Sequence, residues 1–274
     1  MKTSFDMNNG ISVVMPVYNG GKTILYAVES ILRQRFRNLE LIIVDDGSSD
    51  DTCRIISDIP DNRIRLLRHE HDYIKSLNTG IHAAKGKYIA RMDADDYMHP
   101  DRLLFQWHFM EQHQNIDVCS TWMQTYGLSY TVISNVSGRL DNILYRLLSG
   151  NVICHPTVLM RRDRIQESGL SYEDYPMAED YKLWFEAAKK GLTFYVIPLV
   201  LHYYQQSRTQ QSYKHCDIQT NTSEKIRVEI LEYIMRKQSS SCLRKFLGDA
   251  IRMQKEGLMT LEEVVKLFLA HSSL

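Results

Sequence analysis

The sequence predicts an α/β fold, a mainly parallel mixed sheet with helices on its faces, followed by a helical C-terminal tail. Three observations carry that expectation. Over the first hundred residues, apolar β-branched runs alternate with stretches of helical periodicity, the rhythm of right-handed βαβ units. Two of those runs stop in carboxylates, Val44-Asp45-Asp46 and Met92-Asp93-Ala94-Asp95-Asp96. Past Gln205 the chain turns polar and then wholly helical.

Taken in order, Ile11 to Val17 is an apolar run closed by Tyr18-Asn19-Gly20-Gly21, a buried strand and its turn. Ile24, Leu25, Val28, Ile31 and Leu32 recur at helical spacing. Leu39 to Val44 is a second strand, and Ser48-Ser49-Asp50 offers N-caps for a helix to about Asp58. A short strand over Ile64 to Leu67, a helix over Ile74 to Ala84 and a strand over Tyr88 to Met92 complete this half. After a helix from Pro100 to His113 the rhythm loosens. Val118 to Tyr126, Thr131 to Val136 and Val152 to Met160 read as strands. Ala178 to Ala188 has helical periodicity that stops at Gly191, and Phe194 to Tyr204 is strand-like around Pro198. Gln205 to Ser212 reads as a polar loop. Ile226, Ile230 and Ile234 form a helical stripe, and Thr260-Leu-Glu-Glu263 is a capping box before Val264 to Leu269. The expected organisation is one domain over 1–205, with halves at about 11–100 and 101–205, and a helical extension over 206–274.

A chain of 274 residues has room for one large domain or one domain with an appendage. Lys and Arg together number 33, as do Asp and Glu, so nothing global points to a nucleic-acid partner. Met1 to Gly10 lacks the apolar core of a signal peptide, and no apolar run reaches the ~18 residues that span a bilayer. Five scattered cysteines (Cys53, Cys119, Cys154, Cys216, Cys242) contain no C-x-x-C pair, which suits packing thiols in a reducing cytoplasm and gives no zinc site. Residues 206–274 hold 11 Lys and Arg against 8 Asp and Glu. Such helices either lie peripherally on the inner face of a membrane, dock a partner or pack on their own domain.

Strands that end in acids place them at the carboxyl edge of the sheet, where open α/β folds bind ligands. Crowded carboxylates repel one another and call for a cation, Mg²⁺ or Mn²⁺, carrying a phosphorylated substrate. The plainer alternative is a helix cap and an acidic turn before His99-Pro100. No G-x-G-x-x-G opens the first helix, which argues against a dinucleotide enzyme. Gly21-Lys22-Thr23 imitates the end of a phosphate-binding P-loop, but Pro16 stands where that loop needs its first glycine. A P-loop NTPase is therefore the weaker alternative.

Pro16-Val-Tyr-Asn19, Val44-Asp-Asp-Gly-Ser-Ser-Asp50, Asn78-Thr-Gly80, Ala84-Lys-Gly-Lys-Tyr88 and Asp93-Ala-Asp-Asp96 stand in one order and spacing. In this the chain resembles family 2 glycosyltransferases. Glu179-Asp180 followed by Leu183-Trp184 is similar to that family's later catalytic motif. The resemblance implies an A-type glycosyltransferase fold with a Rossmann-like nucleotide-binding half, a nucleotide-sugar donor and inversion at the anomeric carbon. It also implies roles. Tyr18 stacks on the donor base in a loop shaped by Pro16, and Asp46 accepts from a base N–H, which favours uracil. Asp93 holds the ribose, Asp95 binds the metal, and Asp180 is the base that deprotonates the acceptor hydroxyl. Asn19, Asn78 and Ala94, in the same motifs, and Lys75 join them on the donor side. Glu179, Trp184 and His155 fall on the acceptor side. The implied acceptor is a glycan growing on a lipid carrier, as in surface-polysaccharide synthesis.

The chemistry is coherent with those roles. A single displacement needs one base opposite the leaving group, whereas a carboxylate nucleophile would give retention. Asp180 begins a helix, which stabilises its charge and weakens it as a base, while burial against Trp184 would act the other way. Lys75 and Arg68 either reach the diphosphate or are solvated charges, and Arg91 and His202 are given no role by the sequence. Tyr195, Tyr203 and Tyr204, beside His202, line either an acceptor or phosphate site or a sheet margin. His202-Tyr-Tyr-Gln-Gln-Ser-Arg208 departs in spacing from the family's basic residue and histidine. A non-catalytic nucleotide-sugar-binding module is the remaining alternative, and the intact Asp95 and Asp180 argue against it.

Overall fold

The computed structural model describes residues 5–134, 136–207, 210, 214–238 and 240–271. The first half is β1 (Ile11–Val17), α1 (Ile24–Leu32), β2 (Leu39–Asp45), α2 (Thr52–Ser57), β3 (Ile64–Arg68), α3 (Tyr73–Ala83) and β4 (Tyr88–Arg91). Then follow β5 (Tyr97–Met98), α4 (Arg102–Gln112), β6 (Val118–Gly127), β7 (Val132–Ile133), β8 (Gly138–Arg139) and α5 (Ile143–Leu148). A 3₁₀ turn at His155–Thr157, β9 (Leu159–Arg161), α6 (Arg162–Glu167), α7 (Glu179–Lys189) and β10 (Phe194–Gln206) complete the sheet domain. The tail is α8 (Cys216–Lys237), α9 (Ser241–Lys255) and α10 (Leu261–His271).

One sheet joins the strands in the order β3-β2-β1-β4-β9-β6-β10-β5, with β7 on β6 and β8 on β10. The β3-β2-β1-β4 pairings and β6-β10 are parallel, while β9 runs antiparallel to both its neighbours. Every residue of β1 and β2 is buried, as expected of strands covered by helices on both faces. Val17 pairs with Asp45 and Val14 with Arg91, so the loops leaving β1, β2 and β4 emerge side by side. That register positions the site. Gly80 lets α3 lie tight on β1, since a Cβ there would collide with Val14. Gly47, at φ +82°, makes the turn that follows Asp46.

Two apolar clusters flank the sheet. One packs α1 and α4 against β1, β2 and β4; the other packs α3, α5 and α7 with Trp184 and Phe185 at its centre. Ile226, Ile230, Leu231 and Ile234 of α8, with Val264, Val265 and Phe268 of α10, belong to the second cluster. The extension thus shares a core with residues 101–205. Its capping box forms, with Thr260 N–H on Glu263 and Glu263 N–H on the Thr260 hydroxyl at 2.8 and 3.2 Å. Among the described residues no helix is long and apolar enough to cross a membrane. Cys53, Cys119, Cys154 and Cys216 are free thiols; the Cys242 side chain lies outside the described residues.

Some elements differ from expectation. The strand expected over Val152 to Met160 shrinks to β9, because Pro156 supplies a fixed φ and no N–H and the chain takes a 3₁₀ turn first. Among the described residues of the stretch Thr131 to Val136, strand is limited to the two residues of β7. Helices α5 and α6 have six residues each, too short to show a period. β10 continues past Pro198 through register shifts, and Gln205 and Gln206 are strand rather than loop. Of the remaining expected loop, residues 208, 209, 211 and 212, Arg208 included, lie outside the described residues.

Candidate active site

The loops at the carboxyl edge enclose a cleft of about 2110 Å³. Pro16, Tyr18, Asn19, Asp46, Lys75, Asn78, Asp93, Ala94, Asp95, His155, Glu179 and Asp180 all line it. On its first wall Asp46 is 1% exposed, at the turn after β2. One of its oxygens accepts from Asp72 N–H and the Ser76 hydroxyl, both at 2.8 Å. His71 Nδ1 lies 2.9 Å from the other oxygen and 3.1 Å from the Asp46 carbonyl, so a single ring nitrogen is shared and that oxygen keeps no well-directed hydrogen bond. The Tyr18 ring lies on His71, centroids 4.1 Å apart. Asn19, at φ +50°, ties two loops together: its N–H donates to the Ser48 hydroxyl at 2.8 Å and its Oδ1 accepts from Ser49 N–H at 2.8 Å. Both ends of the Asn78 amide are engaged by the backbone of Tyr172, at 2.8 and 3.0 Å. Asn19 and Asn78 thus spend their side chains on protein backbone within the cleft wall.

The floor is acidic. Asp93 pairs with the buried guanidinium of Arg91, which also donates to the Tyr73 hydroxyl at 3.1 Å. Asp96 accepts from Gln205 N–H at 2.8 Å and faces His202 Nε2 at 2.7 Å, while Arg102 Nη1 lies 3.1 Å from His202 Nδ1. Since arginine only donates, His202 is neutral with its proton on Nε2, and burial and Arg102 both hold its pKa well below the usual value. Burial, then the charge of Asp93, pushes Asp96 well above the carboxylate range. Asp95 is pushed up to about 7, first by burial and then by Asp93 and Asp96, and Gln210 reaches its Oδ2 at 3.3 Å. That is the electrostatic signature of a carboxylate that a cation would relieve. Among the described residues no three His, Cys, Asp or Glu converge on one point. A hard divalent ion that keeps several waters and binds substrate phosphates needs only one or two carboxylates, so Asp95 fits Mg²⁺ or Mn²⁺.

The far wall is the first turn of α7. Burial is the main cause that raises Asp180; Asn151 Nδ2 and Tyr181 N–H, each at 2.7 Å, and the Arg91 charge oppose it. Glu179 beside it is pushed up to about 7 by burial and then by the charge of Asp180. His155 hydrogen-bonds Tyr172 through Nε2 at 2.5 Å and is held neutral by burial. Trp184 requires correction. It is 0% exposed and absent from the cleft lining, its ring meeting His155 and Phe194 edge-on at 6.1 and 6.2 Å. It lies on the same face as Asp180 but one helical turn deeper, where it packs in the core beneath the site and does not reach an acceptor.

Other candidates separate cleanly. Lys75 and Tyr204 line the cleft; Arg68 does not. Tyr195 packs on Phe109 and Tyr203 beside Tyr97. Gly21 N–H donates to Asp50 at 2.9 Å and Pro16 is paired within β1, so a carboxylate occupies what a P-loop would offer to phosphate. His71, Tyr73, Asn151, Tyr172, Gln210 and Gln219 also line or support the cleft without a signal in the sequence. They sit in loops or on helices whose periodicity carries no mark of the cleft.

Residues 12–169 match the family described as glycosyl transferase family 2. The chain belongs to that family. It is, accordingly, a glycosyltransferase. Over 200 residues, 71% of this chain and 76% of the relative, it is 35% identical to the UDP-Glc:alpha-D-GlcNAc-diphosphoundecaprenol beta-1,3-glucosyltransferase WfaP of Escherichia coli. Among solved structures, S. aureus TarS 1–349 in complex with UDP-GlcNAc superimposes with a TM-score of 0.65 at 20% identity. That match covers 82% of this chain, which spans only 65% of the TarS chain. Mannosyltransferase PcManGT from Pyrobaculum calidifontis, in complex with GDP-Man and Mn2+, gives 0.61 at 17% identity over 99% of this chain and 79% of that one. At such identities the two structures establish the A-type glycosyltransferase fold.

Proposed function

We propose that this glycosyltransferase moves a hexose from a UDP-sugar to a hydroxyl of a lipid-linked saccharide, with inversion, in surface-polysaccharide synthesis. The observation that carries it is one cleft lined in sequence by an aromatic pair with a buried carboxylate, a strained acidic floor and two further carboxylates opposite. The activity named for the WfaP relative supports the donor and acceptor class. Tyr18 and His71 would stack on the uracil and Asp46 would read its N–H. Asp93 would hold the ribose, with Arg91 fixing its rotamer. Lys75 lies within the same lining for the phosphates.

Asp95 would hold a Mg²⁺ or Mn²⁺ ion, which when bound neutralises charge on the departing diphosphate. Asp180 would take the proton from the acceptor hydroxyl, its carboxylate aimed by Asn151 and by the Tyr181 N–H. With one base and no carboxylate nucleophile, the displacement inverts the anomeric carbon. His155 and Glu179 would border the acceptor. A second reading exchanges the acids: Asp180 spends both oxygens on donors, while Glu179 at about 7 is tuned nearer neutrality. Asp180→Asn and Glu179→Gln, assayed for UDP release and for donor binding, separate them. Asp180→Asn is expected to lose transfer, about 10²–10⁴-fold, with donor binding near normal; retained turnover would remove it as the base. The membrane-peripheral, cytoplasmic setting is part of the same proposal, and flotation of the full chain with anionic vesicles tests it.

A further inference from the structure

The segment 172–178, which leads into the turn bearing Glu179 and Asp180, is held at both ends by elements far away in sequence. At its start Asn78 of α3 exchanges two hydrogen bonds with the Tyr172 backbone. At its end the partner is the C-terminal tail. Gln219 Nε2 of α8 donates to the Met177 carbonyl at 3.1 Å, and the Tyr175 hydroxyl donates to Glu229 Oε1 at 2.8 Å. The other oxygen of Glu229 takes Lys182 Nζ of α7 at 2.7 Å. The Tyr175 ring lies under two ammonium groups, Lys182 at 4.7 Å and Lys225 at 4.6 Å from its centroid.

Met177 sits at φ +63°, in the left-handed region that costs a non-glycine residue free energy unless its surroundings hold it. Two residues later the carboxylates begin. Relaxation of that single φ would swing the 178–180 backbone and carry both acids away from the floor of the cleft. Gln219 also lines the cleft, so its tie to Met177 is made at the site itself.

We propose that α8 is a positioning element for the base-bearing turn, with Gln219 as the positioning residue and Glu229 with Tyr175 as its second tie. The tail is then part of the catalytic apparatus and not an appendage to it. The inference rests on the reading that this turn carries the base. A base displaced by about 1 Å loses on the order of 10²-fold in rate, and loosening one of two ties costs a fraction of that.

The test is made on the full chain with Gln219→Met, which keeps the shape of the side chain and removes its donor, and with Glu229→Gln. Glu224→Gln, on the exposed side of α8, is the control. Amide exchange over 175–181 is expected to quicken at least about tenfold in both variants and not in the control. UDP release from UDP-glucose with Mn²⁺ is expected to fall about tenfold in kcat, with KM for UDP-glucose within about twofold. Wild-type exchange and kcat in Gln219→Met and Glu229→Gln would overturn the proposal, as would a rise in KM at constant kcat. Failure of the base assignment is distinguishable: Asp180→Asn would then keep turnover while the exchange result stood. If Gln219→Met fails to fold, Glu229→Gln carries both readouts alone.

Discussion

Glu179→Gln offers the most quantitative check on the electrostatics of the cleft. Glu179 is raised from 4.5 to about 7 by burial and by the charge of Asp180. In the unfolded chain it titrates near 4.5, so between about 4.5 and 7 the folded protein holds the extra proton. Stability therefore declines as pH rises through that window, the reverse of a salt-bridged acid. At 1.36 kcal/mol per pKa unit, the ionised form costs about 3 kcal/mol above about pH 7.5 and less than about 1 kcal/mol at about pH 5. The neutral amide of the variant carries no such charge. For a chain of this size, thermal unfolding of the variant is expected roughly 6–10 °C above wild type at about pH 8 and nearly level with it at about pH 5. A Tm difference independent of pH would refute the reasoning.

Asp95→Ala is expected to weaken UDP binding in the presence of Mn²⁺ and to leave the metal-free affinity near wild type; calorimetry with and without EDTA reads the difference. Asp46→Asn keeps an acceptor for Asp72 N–H and the Ser76 hydroxyl but replaces the other carboxylate oxygen by a donor, so UDP affinity should fall by about tenfold with metal dependence intact. Ile230→Ala, in the core shared by α8 and α7, should cost about 2–5 kcal/mol in denaturant unfolding, and truncation after residue 205 should yield no cooperative transition.

The parallel half of the sheet is legible in the sequence because β1 and β2 are apolar throughout and stop abruptly at acids. The positions of Tyr18, Asp46, Asp93 and Asp95 around one cleft follow from that alone, since parallel neighbours present their carboxyl ends together. Trp184 departs from its expected acceptor role for a reason the same logic explains. Four residues carry the chain one turn, about 6 Å, along α7, and only the packing of that turn against Phe194 and His155 buries the ring beneath the site. His71 and Asn151 carry no signal, because each is a loop residue whose role depends on a neighbour more than 20 positions away. In sequence Arg91 is one more charge at a strand end. Its burial between Asp93 and the α7 turn is a tertiary property. The polar stretch after Tyr204 conceals two further residues of β10, since their pairing with β6 and not their composition makes them strand.

The central claim is that the acids leaving β4 grip a nucleotide diphosphate through a cation, facing the α7 carboxylates across one cavity. A crystal of the full chain grown with UDP and Mn²⁺, with anomalous scattering recorded for manganese, tests it directly. The expected result is a manganese peak about 2.1 Å from an Asp95 oxygen, with the uracil against Tyr18 and Asp46. A manganese peak remote from Asp95, or UDP seated outside the cleft between Asp46 and Asp180, would contradict it.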